Sequence, residues 1–230
     1  MIFKDRSHAG QLLSQKLQKY ANHSVIVVAL PRGGVPVAAE VANALDAPLD
    51  VLIVRKIGAP YQAELAVGAV CEDSEPVWNQ GILARLGIDS ADLGQTLSME
   101  REKIQMQTRL FRESRTFPEF TQKTVILVDD GLATGATMSA AVEYLRRKSQ
   151  AKIIVAVPVA AASSARILRS KVEDMVIVQE CEDFMSVGQW YQDFSQVSDA
   201  MVAEIIDRNG DDRIPLQPDL TKGTARHERA

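Results

Sequence analysis

Apolar residues along this chain follow two alternating patterns: short, continuous, β-branched runs, and longer stretches in which they recur every three or four positions. Val25–Leu30 (VIVVAL), Leu49–Val54 (LDVLIV), Leu65–Val70, Thr124–Val128 (TVILV), Ile153–Val157 and Met175–Gln179 are of the first kind and predict strands. The second kind predicts helices over about Ser7–Tyr20, with Ser7 as N-cap, and over Val35–Leu45, Gly135–Arg147, Ser163–Lys171 and Ser198–Arg208. Strands that are apolar throughout are covered on both faces, and strands that alternate with helices pair in parallel. The expected fold is therefore α/β, a three-layer α/β/α arrangement around a mainly parallel central sheet.

One stretch breaks the alternation. From Glu72 to Gln122 no strong strand is visible and a single long polar helix is expected, from about Ser90 to Arg115. Leu93, Leu97, Ile104 and Phe111 give it a narrow apolar stripe, while Arg101, Lys103, Arg109, Arg112 and Arg115 make its surface basic. This segment, 72–122, reads as a helical insertion in a domain that spans 1–206. It packs on the chain's own core, packs on a partner subunit, or closes as a lid over a ligand. The polar stretch 207–230 that follows is expected to be a disordered tail.

Charge and composition narrow the function. The 230 residues carry 26 basic and 30 acidic side chains, a formal charge of -4, with no long run of one sign, so duplex DNA is not an expected partner. The longest nearly apolar run, Ile153–Ala162, contains Pro158 and is far shorter than the ~20 residues of a membrane span. The first residues lack the apolar stretch of a signal peptide, so a cytoplasmic location is expected. Cys71 and Cys181 stand in unrelated segments and are expected to be reduced and to serve packing. His8, His23 and His227 have no partner at metal-binding spacing.

The chemistry is concentrated in VILVDDGLATGAT, residues 125–137. An apolar strand ends there in Asp129 and Asp130, and a loop of small residues then opens a helix. Ligands of parallel sheets sit at the carboxyl ends of the strands, and the unpaired amides of a helix N-terminus favour an anion. Ala133, Thr134, Gly135, Ala136 and Thr137 can cradle a phosphate, small side chains admitting its oxygens and two hydroxyls adding donors. Two carboxylates would repel that phosphate, but they accept hydrogen bonds from sugar hydroxyls or hold magnesium-bound water. A sugar phosphate meets both requirements. The acid pair could instead belong to a phosphoryl-accepting receiver domain or form a plain helix cap. However, a receiver carries its acids on the first strand, and a cap does not require two acids and five small residues. Neither a Walker motif nor a GxGxxG fingerprint is present.

Residues 125–137 resemble the phosphoribosyl-pyrophosphate (PRPP) signature of the type I phosphoribosyltransferases, and the whole order of segments up to about residue 206 resembles small bacterial members of that family. The resemblance implies that Asp129 and Asp130 bind the ribose 2- and 3-hydroxyls and that Ala133–Thr137 hold the 5-phosphate. Pro31-Arg32-Gly33-Gly34 stands where the family places its pyrophosphate loop, so Arg32, Gly33 and Gly34 would bind the leaving group. Arg55 and Lys56, at the end of the second strand, resemble the family's pyrophosphate-contacting cation, and Lys56 joins Asp129 and Asp130 as a catalytic candidate. The insertion takes the place of the mobile catalytic loop. Residues 181–195 resemble a small C-terminal hood over the acceptor, with Phe184, Trp190, Tyr191 and Asp193 as its candidates. The packing of Trp190 and Tyr191 against the last helix is the competing reading. The preceding strand ends Val157-Pro158-Val159-Ala160, where 6-oxopurine enzymes carry a lysine.

The function so implied is transfer of ribose 5-phosphate from PRPP to a nitrogen acceptor, a nucleobase, with release of pyrophosphate, as in nucleotide salvage. Magnesium would be held mainly by the substrate, with Asp129, Asp130 and Asp193 as possible contacts. The family also implies a homodimer. The alternative is a non-catalytic sensor or regulator that binds PRPP or a nucleotide in the same pocket; the acidic chain shows no strongly basic RNA-binding face, and Arg101, Lys103, Arg109, Arg112 and Arg115 on one exposed stripe would favour that reading.

Overall fold

A computed structural model describes residues 1–72, 74–112, 120 and 123–209. Five strands form a parallel sheet: β1 (Val25–Ala29), β2 (Leu49–Val51), β6 (Thr124–Val128), β7 (Lys152–Ala161) and β8 (Asp174–Cys181), in the order β2-β1-β6-β7-β8. The alternation of side chains along each strand explains the layers. Val25, Val27 and Ala29 of β1 face a core shared with α1 (Arg6–Leu17), α2 (Gly34–Leu45) and α7 (Asp199–Asn209). Ile26 and Val28 face the opposite core, which is closed by α5 (Ala136–Lys148) and α6 (Ala162–Arg169). Each fully buried Val, Leu or Ile is worth about 1.5–3 kcal/mol of transfer free energy, so a sheet apolar on both faces holds its two helical layers without further help. This is the expected three-layer α/β/α architecture.

Several boundaries differ from those the sequence suggests. The run LDVLIV is continuous, but the parallel strand stops at Val51, and a new strand, β3 (Val54–Ala59), leaves the sheet to form an antiparallel ribbon with β4 (Gln62–Cys71) and β5 (Val77–Trp78). Arg55 and Lys56 therefore lie on that ribbon and not at the end of the second sheet strand. Leu52 and Ile53 are buried at the junction, where the Ile53 amide donates to the Glu72 carboxylate at 3.1 Å. β7 runs on through Pro158 because its register with β8 passes from Val157 directly to Val159. Asp5, not Ser7, caps α1, its carboxylate accepting from the His8 amide at 2.7 Å. Helix α7 ends at Asn209, past the expected domain limit at 206, and the tail expected beyond it lies outside the described residues from 210 onward.

The insertion contains more structure than one helix. After β5 come α3 (Gln80–Leu86), a short 3-10 turn at Ser90–Leu93, and α4 (Gly94–Arg112). The expected stripe of Leu93, Ile104 and Phe111 is buried in the core shared with α7, and Leu97 packs against it. The expected basic surface forms only in part: Arg101, Lys103 and Arg109 are exposed, but Arg112 is not. Arg112 is buried with 3% of its side chain exposed, and its guanidinium donates to Asp50 of β2 at 2.8 Å, to the Glu72 carboxylate and to the Val51 carbonyl. Lys103 is tied to Glu100 at 2.6 Å, and Arg101 donates to the Ser74 carbonyl at 3.2 Å. Arg115 lies outside the described residues.

Arg112 thus carries the end of α4 onto the sheet edge. Burial pushes the Glu72 carboxyl up and the facing guanidinium pulls it back, the balance of a charged cluster kept from water. Cys71 beside it is buried, its thiol pushed up to about 12 by desolvation and then by Glu72, in keeping with a packing role. Removing the cation leaves two carboxylates buried around an uncharged side chain. Arg112→Met is expected to cost about 3–5 kcal/mol of unfolding free energy in a urea titration, and a loss below about 1 kcal/mol would contradict this account of the cluster.

Candidate functional site

β6 ends at Val128, and the next two residues project from the carboxyl edge of the sheet between β1 and β7. Asp129 is partly buried and its Oδ1 accepts from the Asp130 amide at 2.8 Å. Asp130 is buried, and its Oδ2 accepts from Arg6 Nε at 2.9 Å. Burial raises the Asp129 carboxyl well above the usual carboxylate range, and the neighbouring Asp130 charge raises it further. Asp130 is raised by burial as well, with Arg6 opposing the shift. Close-set buried acids of this kind are stabilised when hydroxyl donors or cations reach them.

The loop after the pair is shaped for an anion. Gly135 takes φ +73°, a left-handed conformation that costs glycine nothing, and it precedes the first residue of α5, whose opening amides have no partner within the helix. The Ser164 hydroxyl donates to the Ala133 carbonyl at 2.5 Å and fixes the other side of the loop. Thr134 is exposed, while Ala133, Ala136 and Thr137 are partly buried.

The glycines after β1 come to the acids at very short range. A Cβ added to Gly33 would lie 2.0 Å from Asp130 Oδ2, and one on Gly34 would lie 2.8 Å from the Val128 carbonyl oxygen and 2.9 Å from Asp129 Cα. Only residues without a side chain fit there, which accounts for the Gly-Gly pair better than a tight turn does. The Pro31–Arg32 peptide is cis. Arg32, half-exposed, lies 3.6 Å from Asp199 at the start of α7.

The other expected cations sit on the ribbon. Arg55 Nε donates to Glu100 of α4 at 2.7 Å, and Lys56 is exposed. Burial pushes the Glu100 carboxyl up, but the hydrogen bonds from Lys103 and Arg55 outweigh it and hold it below the ordinary range. The helical insertion therefore grips the base of the ribbon through Arg55.

The expected hood residues lie against the N-terminal segment. Phe3 bridges to Tyr191, with the Phe3 amide donating to the Trp190 carbonyl at 2.8 Å and the Gln192 amide donating to the Phe3 carbonyl at 2.8 Å. Trp190 packs with Phe184 in the cluster of Phe3, Ala9, Val159 and Tyr191. These rings do pack, but against the N-terminal segment and not the last helix. Tyr191 is buried and its hydroxyl donates to the Asp130 carbonyl at 2.6 Å; burial, and then the nearby Asp130 charge, raise that phenol. Asp193 stands on the surface, accepting from the Ser195 amide at 2.9 Å and from its hydroxyl. Val187 covers Gly131, on which a Cβ would lie 2.6 Å from its Cγ1.

Arg6 is the site residue that sequence reasoning missed. Besides its bond to Asp130 it donates to the Ser195 carbonyl at 2.8 Å and lies 3.9 Å from the Phe194 ring centroid. No motif singles out an arginine in the first turn of a helix more than a hundred residues before its partner. Among the described residues no group of three or more His, Cys, Asp or Glu side chains gathers as a metal cage. Asp129 and Asp130 offer carboxylate oxygens of the kind a hard divalent cation accepts as ligands.

The sequence matches a family described as phosphoribosyl transferase domain over residues 4–75 and 76–193. A Mycobacterium tuberculosis protein, provisionally named as a phosphoribosyl transferase, is 39% identical over 207 residues, covering 90% of this chain and 47% of its own length; the counterpart in a second strain gives the same figures. The chain thus spans about half the length of the curated relatives it matches. The crystal structure of TT1426 from Thermus thermophilus is 37% identical, superposes with a TM-score of 0.80 and covers 92% of this chain and 100% of that one.

The close approach of Gly33 to Asp130 can be tested by substitution. Gly33→Ala forces a methyl group onto Asp130 Oδ2, so Asp130 must move, and binding of magnesium-PRPP by calorimetry is expected to weaken at least tenfold, about 1.4 kcal/mol. An unchanged affinity would show that the two segments are not coupled. The acid pair also sets a pH dependence. Asp129 has a folded-state pKa above its unfolded value, so its contribution to stability is complete below the unfolded pKa and is lost as pH rises through the folded one. Asp129→Asn, which keeps an acceptor for the Asp130 amide and cannot ionise, is expected to melt higher than wild type at neutral pH, with the gap closing in acid. Thermal unfolding across pH checks this, and a variant that melts lower at neutral pH would contradict it.

Proposed function

The chain belongs to the phosphoribosyl transferase family, and we propose that it transfers the 5-phosphoribosyl group of magnesium-bound PRPP to a ring nitrogen of a nucleobase, with release of pyrophosphate. The observation that carries this reading is the meeting of three segments at the end of β6: the buried Asp129–Asp130 pair, the helix-opening loop 133–137, and Gly33–Gly34 pressed against both acids. A ligand laid across them must offer hydroxyls to the acids and an anion to the helix amides, and must carry a second anion toward Arg32. PRPP has that order of groups.

The mechanism assigns this chain's residues to positioning and charge. The ring carbon–oxygen bond to pyrophosphate breaks, leaving its electron pair on the leaving group, and a carbon–nitrogen bond forms with the acceptor, which gives up a proton. Between the two, the ribose ring carries positive charge. Asp129 and Asp130 accept from the ribose hydroxyls and stabilise that charge, an electrostatic contribution worth most in a site closed to water. Amides of Ala133–Thr137 hold the 5-phosphate, fixing the ring against the sheet edge. Arg32, with the Gly33 amide, takes the leaving pyrophosphate, joined by Arg55 and Lys56 from the ribbon, while the Gly34 amide is held by the Leu30 carbonyl at 3.1 Å. For Arg32 and Arg55 this means exchanging Asp199 and Glu100 for phosphate oxygens. A magnesium ion carried by the diphosphate, with Asp129 and Asp130 as its contacts, would neutralise part of the leaving group's charge.

The alternative is a sensor that uses the same pocket without catalysis, and an exposed basic stripe along the insertion that binds RNA would favour it. Arg112 is buried and lies outside any such stripe, whereas Arg101, Lys103 and Arg109 are exposed, with Lys103 paired to Glu100 and Arg101 donating to the Ser74 carbonyl. Calorimetric titration with magnesium-PRPP tests the donor site. Wild type is expected to bind, and Asp129→Asn/Asp130→Asn is expected to bind at least tenfold more weakly, about 1.4 kcal/mol. Equal affinity in the two proteins, or none in wild type, would overturn the reading.

A further inference from the structure

We propose that Arg6 is a positioning residue for the phosphoribosyl donor, fixing Asp130 in the orientation that receives the ribose and joining that carboxylate to the hood. The inference rests on the donor-site reading above. Asp130 is gripped at two points by the same strap of chain. Its carbonyl accepts from the Tyr191 hydroxyl at 2.6 Å, and its Oδ2 accepts from Arg6 Nε at 2.9 Å. Arg6 and Tyr191 belong to one unit, because the Phe3 amide donates to the Trp190 carbonyl at 2.8 Å, the Gln192 amide to the Phe3 carbonyl at 2.8 Å, and the Asp193 amide to the Lys4 carbonyl at 2.9 Å.

The guanidinium is itself over-determined. It hydrogen-bonds the Ser195 carbonyl at 2.8 Å, stacks 3.9 Å from the centroid of Phe194 and keeps 11% of its side chain exposed. A planar group held on one face by a ring and at its edges by two acceptors has little freedom to turn. Its pairing therefore sets the χ angles of Asp130 rather than following them.

The same oxygen is also the one nearest the pyrophosphate loop: Oδ2 lies 2.0 Å from where a Gly33 Cβ would stand. Arg6 pins it there, which leaves Oδ1 as the carboxylate oxygen available to a ribose hydroxyl. Without Arg6 the carboxylate is free to rotate and loses the orientation in which Oδ1 meets a ribose hydroxyl.

The test is a double-mutant cycle on magnesium-PRPP affinity, read by calorimetry on the full chain. Arg6→Met is expected to raise the dissociation constant at least tenfold, and Arg6→Lys, which keeps the charge and loses the fork, is expected to fall between Arg6→Met and wild type. In the Asp130→Asn background the Arg6→Met change is expected to add less than threefold, since its effect passes through Asp130. A purely structural role would lower the melting temperature and weaken binding equally in both backgrounds, and that additive result overturns the inference. So does wild-type affinity in both Arg6 variants. Wild type that fails to bind removes the donor-site reading and this inference with it, whereas wild type that binds alongside unaffected Arg6 variants removes only the inference.

Discussion

Two adjacent carboxylates held out of water at the end of a central strand are costly, and much of the surrounding structure answers that cost. Burial alone drives both acids toward their neutral forms, with Asp129 further pressed by its neighbour. A guanidinium meets Asp130 from the first helix, a tyrosine hydroxyl takes its carbonyl, and an amide supports Asp129. The glycines of the loop after β1 close the remaining side with no room for a methyl group. Such an arrangement resembles a site whose last partner is a ligand, since the donors supplied by the protein leave acceptor capacity in both carboxylates.

A second buried charge cluster does for the insertion what the first does for the site. Arg112 brings the end of α4 to Asp50 and Glu72, joining the inserted helix to the sheet edge and to the end of the ribbon. Further along the same helix, Glu100 holds Arg55. The candidate leaving-group cation on the ribbon is thus positioned through a helix anchored a dozen residues away, and Arg32 is met in a similar way by Asp199 of α7. Arg32 and Arg55 each face a carboxylate that a phosphate would have to displace under the proposed donor-site reading.

How far the sequence reveals this depends on the range of each interaction. β6 and its loop are legible because four apolar residues, two acids and five small residues lie in one stretch, and that local order fixes strand, turn and helix cap together. The parallel core is legible for the same reason: each buried strand carries its own apolar run. Arg112 is misread because it lies between polar residues at helical spacing, and only the distant Asp50 and Glu72 make its burial tolerable. The ribbon is misread because LDVLIV continues without a turn residue past the point where the sheet ends. Arg6 and the pairing of Phe3 with Tyr191 cannot be read locally at all, because they join the two ends of the domain.

The most direct test of the central claim, that the β6 acids and the loop after them form one ribose-phosphate site, is a crystal structure with magnesium and a non-hydrolysable analogue of PRPP. The account predicts ribose hydroxyls within hydrogen-bonding distance of Asp129 and Asp130, the 5-phosphate on the amides of residues 133–137, and the diphosphate against Arg32 and Gly33. An analogue bound away from the acid pair, or bound with its phosphate outside that loop, would contradict it.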